Sequence, residues 1–441
     1  MRKPRKLEGT KVVVVGMARS GVAAIRLLRQ NGARVRAVDE KPMGEIEGVT
    51  VEPQTVAAFR DAELVVISPG VPADLHLLAP LRARGVPVIG ELELAAPFLE
   101  GQNIGITGTN GKTTTTALTG HILRESGIAC QVGGNIGTAP AEMVETSRPG
   151  QWNVLELSSF QLETIETFRA QIAACLNITQ NHLDRHHTFE NYTNAKARLF
   201  DTQGPDDLAV LNADDPATVV FAQRTKAKTV WFSGTHQVSG AWLDDDLIRM
   251  QSGELLNVHD LRLRGRHNYE NVMAAALMAE RAGARIEQIA SAAATFAPVE
   301  HRLEYVREIR GVAYYNDSKA TSVDATLKAI DAFPGSVWII LGGKDKDSDF
   351  TVLRESLRAK ARAALLIGAA ASKIEKQLGD AVPIVSCGTM AAAIDKAARS
   401  AAPGDTVLLA PACASFDQFD NFEHRGRVFK DLVNALAEGN R

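Results

Sequence analysis

With 441 residues, 45% of them hydrophobic and 23% charged, the chain carries enough apolar material for about three packed cores and no compositional case for disorder. Its 49 basic and 52 acidic residues are interspersed to a formal net charge of −3, which excludes a broad basic footprint for nucleic acid or an anionic membrane and leaves any bound anion to local design. Cys130, Cys175, Cys387 and Cys413 show neither paired nor CxxC spacing, so neither a disulfide framework nor a cysteine zinc site is indicated and a reducing compartment fits best.

The basic stretch Met1 to Glu8 leads into Val12 to Val15 rather than into the apolar core of a signal peptide. No apolar run reaches the roughly 18 residues of a membrane span, and a cytoplasmic protein is expected. Short Val/Ile-rich runs then alternate with Ala/Leu/Arg stretches at helical spacing, the pattern of parallel sheets covered by helices. Three α/β units follow, with expected boundaries 1–99, 100–299 and 300–441. Strands are predicted near Val12 to Val15, Arg34 to Val38, Leu64 to Ile67 and Val86 to Ile89 in the first. The second has Ile104 to Thr107, Asn153 to Leu157 and Ala173 to Thr179; the third has Trp338 to Leu341, Ala364 to Ile367 and Thr406 to Leu409. The Ala297-Pro298-Val299 stretch reads as a linker.

In the second unit the strand Ile104 to Thr107 is followed by Gly108-Thr109-Asn110-Gly111-Lys112-Thr113-Thr114-Thr115 and a helix-compatible run to about Ser126. Glycines let backbone N–H groups close on phosphate oxygens, and the helix N-terminus adds its positive dipole end. Lys112 can reach the β- and γ-phosphates and Thr113 can ligate Mg²⁺. Ile106 stands where the strict phosphate-loop pattern wants glycine, so this is a shortened variant. ATP or GTP is the expected nucleotide, and the absence of a visible NKxD-like guanine reader tilts the choice toward ATP.

The strand Asn153 to Leu157 runs into Ser158-Ser159-Phe160-Gln161, and Ala173 to Thr179 runs into Gln180-Asn181-His182-Leu183-Asp184-Arg185-His186. Ligands sit at strand carboxyl ends in such sheets. Glu156 and His182 would thus lie beside the phosphates, where together they can hold a divalent metal. The ordinary alternatives are a solvated strand-end glutamate and a polar loop histidine. Tyr192 and Lys196, four apart, share a helix face, although an exposed lysine is the usual occupant of such a position. His186 and His187 are adjacent and point apart, so they do not share a metal. In the first unit, Gly16-Met17-Ala18-Arg19-Ser20-Gly21 has Ala18 where a dinucleotide loop has its middle glycine, weak evidence for a nucleotide when taken alone.

These motifs together resemble the Mur ligases, and within them the D-glutamate-adding branch, over essentially the whole chain. Gly108 to Thr115, Glu156 to Gln161, Asn177-Ile178-Thr179 with His182-Leu183-Asp184, and His267-Asn268-Tyr269-Glu270-Asn271 are similar to motifs shared across Mur and folylpolyglutamate ligases. His301-Arg302-Leu303-Glu304, Asn316 to Thr321 and Pro411 to Phe419 resemble those of the D-glutamate branch. The resemblance implies a Rossmann-like first domain that binds UDP, a central P-loop ATPase-like domain and a Rossmann-like third domain that binds D-glutamate.

By residue, it implies ATP contacts from Gly108, Thr109, Asn110, Gly111, Lys112, Thr113 and Thr114, adenine contacts from Asn268 and Asn271, phosphate contact from Arg302 and ribose contact from Asp317. Two Mg²⁺ sites are implied at Thr113, Glu156, His182 and a carbamylated Lys196; Lys112, Glu156, His182 and Lys196 would carry the catalysis. Ser20, Asp39, Ser68 and Gly70 would hold the UDP part, with a helix cap or plain surface carboxylate as the alternative for Asp39. Asn135 and Gln161 would meet the muramoyl-alanine part. Lys319, Thr321, Lys346, Ser415 and, through its backbone, Phe422 would hold D-glutamate. The segment Gly342 to Asp347 offers both Lys344 and Lys346, and either can meet the glutamate side chain.

The implied reaction activates a carboxylate with ATP as an acyl phosphate, which the amino acid's amine then displaces; rotation of the third domain onto the second would align the substrates. The expected partners are UDP-N-acetylmuramoyl-L-alanine, D-glutamate and ATP, with no nucleic acid or membrane, and the expected state is a monomer. Competing readings are another amide ligase of this family, an NAD-dependent dehydrogenase suggested by the first unit, and a nucleotide switch suggested by the phosphate loop.

Overall fold

The computed structural model describes residues 6–41, 44–263, 265–297, 300–345 and 347–438. They form two compact units, Met1–Leu261 with Tyr269–Phe296, and Arg262–Asn268 with Ala297–Arg441. Two sheets lie in the larger unit and a third in the smaller. The α/β class with three sheet-containing domains is therefore the one the strand pattern predicts. Among the described residues no helix is long and apolar enough to cross a membrane.

The first sheet has strands β1 (Lys11–Val15), β2 (Arg34–Asp39), β3 (Glu45–Ile46), β4 (Val49–Pro53), β5 (Leu64–Ile67) and β6 (Val88–Gly90), in the order β3-β4-β2-β1-β5-β6. All neighbours are parallel except β3 and β4. Val12 and Val14 face the helix Arg19–Gln30, while Val13 and Val15 pack toward Phe59 and Leu81. Burial on both faces is why this strand reads as an unbroken valine run. The turn after β1 returns so tightly that a Cβ on Gly21 would stand 1.9 Å from the Gly16 carbonyl oxygen; glycine is required there.

The second sheet contains β7 (Gln102–Thr107), β8 (Cys130–Gly134), β9 (Trp152–Glu156), β10 (Ile172–Cys175), β11 (Leu208–Asn212), β12 (Lys228–Ser233), β13 (Gly240–Asp244), β14 (Leu247–Met250) and β15 (Gly253–Asn257). Its order is β15-β14-β13-β12-β11-β10-β7-β9-β8. β7 lies between β9 and β10, so the chain crosses to one side of it for β8 and β9 and to the other for β10, opening a crevice at the carboxyl ends of these strands, the place where such sheets bind ligands. The antiparallel extension β13 to β15 is not among the predicted elements. Its strands are short, half-exposed and joined through Asp244-Asp245-Asp246, with Asp245 at φ +51°. The strand predicted to reach Thr179 ends at Cys175, because residues 177–179 turn to bond the phosphate loop. Buried Glu93 ties the first two sheets together, accepting the N–H groups of Glu166, Thr167 and Phe168 at 2.9, 2.8 and 3.0 Å.

The third sheet has β16 (Glu304–Ile309), β17 (Val312–Asn316), β18 (Val337–Gly342), β19 (Ala361–Ile367), β20 (Ile384–Gly388) and β21 (Thr406–Leu409), in the order β16-β17-β21-β18-β19-β20. β17 and β21 are parallel neighbours, so the loops leaving their carboxyl ends emerge side by side.

Candidate active site

The phosphate loop is held open by its neighbours. Thr109 N–H donates to the Asn177 carbonyl at 2.8 Å, Asn110 N–H to Asn177 Oδ1 at 2.9 Å, and Thr109 Oγ1 lies 3.0 Å from the Tyr192 hydroxyl. Gly111, at φ +83°, precedes the helix Lys112–Glu125, and a Cβ there would stand 2.3 Å from Asn271 Oδ1. Thr115 Oγ1 donates to the same oxygen at 3.1 Å. Lys112 folds over the loop, its Nζ 2.9 Å from the Gly108 carbonyl and 2.8 Å from that of Thr109. Thr113 and Thr114 occupy the first turn of this helix, largely buried.

Glu156 ends β9 with 2% of its surface exposed; Oε1 accepts from Asn135 Nδ2 at 2.8 Å and Oε2 has no hydrogen-bond partner among the described residues. Lys196 is 1% exposed on the helix Phe189–Asp201 and donates to the Gly108 carbonyl at 2.8 Å, its Nζ 4.8 Å from the Tyr192 ring centre. Burial, with the Lys112 charge nearby, holds the Lys196 ammonium well below its usual range. The exposed lysine expected by default is thus a buried one whose amine tends to neutrality. His182, at φ +54°, caps the one-turn helix Leu183–His186, its ring 4.8 Å from the centre of Phe160. His186 points inward to Ser159 and His187 outward to Asp74, as their adjacency requires.

A cavity of about 570 Å³ opens where the first sheet's loops meet the second sheet. Ser20, Asp39, Ser68, Gly70, Asn135 and Gln161 all line it, together with Arg19. Several of their polar atoms already serve the walls. Asp39 accepts N–H groups from Met17 at 2.7 Å and Lys41 at 3.1 Å, Ser68 Oγ donates to the Gly16 carbonyl at 2.6 Å, and Gln161 Oε1 accepts from the Ser158 N–H at 3.0 Å.

In the smaller unit the segments 317–321 and 410–415 run together: Asp317 N–H donates to the Leu409 carbonyl at 2.8 Å and Ala412 N–H to that of Ala320 at 3.0 Å. Burial pushes the Asp317 carboxyl up to about 7, against the pull of Arg302 and the Leu303 N–H. Thr321 N–H donates to the Lys319 carbonyl, and Lys319 Nζ lies 3.6 Å from the centre of the Phe422 ring. Ser415 is 1% exposed, and its Oγ has no hydrogen-bond partner among the described residues. Asn268 is buried in the first turn of the helix Arg266–Arg281. The backbone of Lys344 pairs with Ala414 beside Ser415, while Lys346 lies outside the described residues. Lys373 draws in Asp345 at 2.6 Å and Asp347 at 3.3 Å.

Three family profiles cover these regions: the Mur ligase MurD-like N-terminal domain matches residues 10–90, the Mur ligase middle domain 106–279, and the Mur ligase glutamate ligase domain 301–413. The UDP-N-acetylmuramoylalanine–D-glutamate ligase of Solibacter usitatus strain Ellin6076 is 59% identical, over 98% of this chain and 99% of that one. The chain belongs to the Mur ligase family. The enzyme of the same name from Koribacter versatilis strain Ellin345 is 48% identical over 98% of this chain and 99% of its own. The solved MurF ligase of Thermotoga maritima, in complex with ADP, shares the fold with a TM-score of 0.62 at 17% identity, covering 97% of this chain and 96% of that one.

One residue of this Mur ligase that sequence reasoning passed over is Arg425, fully buried in the helix Phe422–Glu438. Its guanidinium donates to Ser318 Oγ at 2.9 Å, the Ser318 carbonyl at 2.8 Å and the Cys413 carbonyl at 3.1 Å, pinning the two neighbouring loops. A signal was present: Arg425 heads the stripe Arg425, Phe429, Val433, spaced by four, whose other members are apolar and buried. A cation in line with a core-facing stripe has a buried acceptor set to serve.

Proposed function

We propose that this Mur ligase joins D-glutamate to UDP-N-acetylmuramoyl-L-alanine with ATP, releasing ADP and phosphate, in the making of peptidoglycan precursors. One observation carries the reading. Asn135 lines the nucleotide-sized cavity and also donates to Glu156, whose other oxygen is buried, with no hydrogen-bond partner among the described residues, at the crevice that holds the phosphate loop. A substrate carboxylate delivered from the cavity would thereby approach a triphosphate on the loop. The choice of D-glutamate rests on the names of the full-length relatives.

Ser20, Asp39, Ser68 and Gly70 would take the UDP part, and Asn135 and Gln161 the muramoyl-alanine part. The amides of residues 108–114 and Lys112 would hold the triphosphate. Asn268 and Asn271 would serve the adenine, Arg302 the phosphates and Asp317 the ribose. The open oxygen of Glu156 is the kind of donor a magnesium ion satisfies, with Thr113 as its companion. His182 and Lys196 would serve a second site. A neutral buried amine adds carbon dioxide, and the resulting carbamate is an anionic oxygen donor, so the depressed Lys196 fits carbamylation. Magnesium, when bound, neutralises charge on the transferring phosphoryl group.

In the proposed reaction a terminal oxygen of the L-alanine carboxylate forms a bond to the γ-phosphorus as the bond to the bridging oxygen breaks, and ADP leaves. The D-glutamate amine then attacks the carbonyl carbon of the acyl phosphate, loses a proton, and expels phosphate from the tetrahedral intermediate. Lys319, Thr321, Lys346, Ser415 and the Phe422 N–H would hold the two glutamate carboxylates; the Phe422 carbonyl already accepts from Ser318 Oγ at 2.8 Å. The enzyme would act in the cytoplasm as a monomer.

Phosphate release measured with the UDP-sugar substrate and one amino acid at a time tests this reading. Turnover is expected with D-glutamate, and Lys112→Ala is expected to abolish it while changing stability by no more than about 1 kcal/mol, since the hydrogen bonds from its Nζ to Gly108 and Thr109 stay within its own loop. Turnover that follows L-alanine or diaminopimelate instead, or that survives Lys112→Ala, would overturn it.

A further inference from the structure

We infer that Arg185 is a positioning residue that ties the lip of the nucleotide cavity to the His182 loop, so that filling the cavity sets the orientation of His182. The inference rests on the ligase reading above and adds to it the means by which one substrate's arrival prepares the reacting centre.

The guanidinium of Arg185 joins two parts of the larger unit, the Gly70-Val71 turn and the helix Ser159–Leu162 with its C-cap Glu163. Nη2 donates to the Val71 carbonyl at 2.7 Å and Nη1 reaches the Gly70 carbonyl at 3.4 Å, and both residues line the cavity. Nη2 also pairs with Glu163 Oε2 at 3.0 Å, with side chains only 13% and 15% exposed. Its Cζ lies 4.8 Å from the centre of the Phe160 ring. Phe160 is in turn the ring that packs edge-on against His182, at 4.8 Å between centres.

The network extends one step further on the same side. Glu163 Oε1 lies 3.1 Å from His186 Nδ1, and His186 Nε2 lies 2.9 Å from Ser159 Oγ, at the start of the helix Ser159–Leu162. That helix begins three residues after Glu156. His182 and Glu156 are thus approached from one scaffold, whose only guanidinium contact to the cavity lip among these residues is Arg185.

His182 needs such support. Its φ of +54° is a left-handed conformation that costs a non-glycine residue about 1–2 kcal/mol and persists only where surroundings fix it. The ring of Phe160 and the anchored Leu183–His186 turn supply the fixing. A planar fork can serve two carbonyls and a carboxylate at once, whereas a lysine ammonium offers a point charge on a flexible stem. Lysine at 185 should keep the charge and lose the geometry.

The test compares Arg185→Ala and Arg185→Lys with the unsubstituted full chain, reading kcat, KM for the UDP-sugar substrate, KM for ATP, and rescue by millimolar guanidinium ion. Arg185→Ala is expected to lower kcat about tenfold to hundredfold, the scale of small misplacements of a reacting group, and to raise the UDP-sugar KM. KM for ATP should stay within about twofold, and added guanidinium should restore part of kcat. Arg185→Lys, the milder change, should fold normally and fall between. A kcat within about twofold of the parent in both variants, or losses of equal size in every constant without guanidinium rescue, would overturn the inference. An unsubstituted enzyme with no D-glutamate-dependent turnover would sink the ligase reading and the inference with it; a parent that turns over beside unaffected variants sinks the inference alone.

Discussion

Glu91 opens the helix Glu91–Ala95 with 1% of its surface exposed, one carboxyl oxygen accepting the Ala141 N–H at 2.5 Å and the other without a hydrogen-bond partner among the described residues. Burial pushes its pKa from 4.5 up to about 8, with Glu142 adding to the rise and Arg19 opposing it. The folded chain therefore keeps a proton that the unfolded chain releases, and stability should fall as pH rises from about 4.5 to about 8, by as much as about 1.4 kcal/mol per pH unit, then level off. Glu91→Gln, which keeps the shape without the charge, should flatten that slope; thermal midpoints of the two proteins across this range will show it, and identical slopes would refute it. Residue-scale facts of this kind are hard to read in a sequence because nothing local marks burial. Lys196 is a partial exception, since it falls with Tyr192, Ala195, Leu199 and Phe200 on the buried stripe of its helix. Spacing placed it on that face, while its residue type argued for solvent.

At the scale of elements, the phosphate loop was the most legible part because three signals agreed: an apolar strand, glycines at the turn and a helix start. Its glycine requirement is also the most specific. At Gly111 a side chain meets both a left-handed backbone and the Asn271 amide at 2.3 Å. Gly111→Ala should cost about 1–2 kcal/mol of stability and weaken ATP binding at least tenfold; calorimetric titration with ATP and a thermal scan will measure both, and unchanged affinity would contradict the placement of this loop. The central parallel strands were legible for the same reason as β1: they are buried on both faces and read as apolar runs. The edge hairpins β13 to β15 and β16 with β17 were not, because half-exposed strands alternate polar and apolar residues too briefly to stand out from loops. Ala173 to Thr179 read too long because residues 177–179 keep strand-like composition while their backbone groups serve Thr109 and Asn110.

At the scale of the molecule, the cavity of the first sheet and the crevice of the second lie in one compact unit, joined by Asn135 and by the Arg185 network. The sequence motifs marked both places, but the hydrogen bond from Asn135 to Glu156 spans 21 residues and two strands, and only the folded sheet brings its ends together. The smaller unit gathers Arg302, Asp317, Lys319, Thr321, Ser415 and Phe422 around the carboxyl ends of β17 and β21, held by the unforeseen Arg425. The central claim is that a carboxylate of the UDP-sugar substrate is activated by direct attack on ATP. Its sharpest test is mass analysis of the phosphate released when the L-alanine carboxylate carries heavy oxygen. One labelled oxygen should appear in each phosphate formed in step with D-glutamate incorporation; phosphate that carries none, with its fourth oxygen drawn from water, would contradict the account.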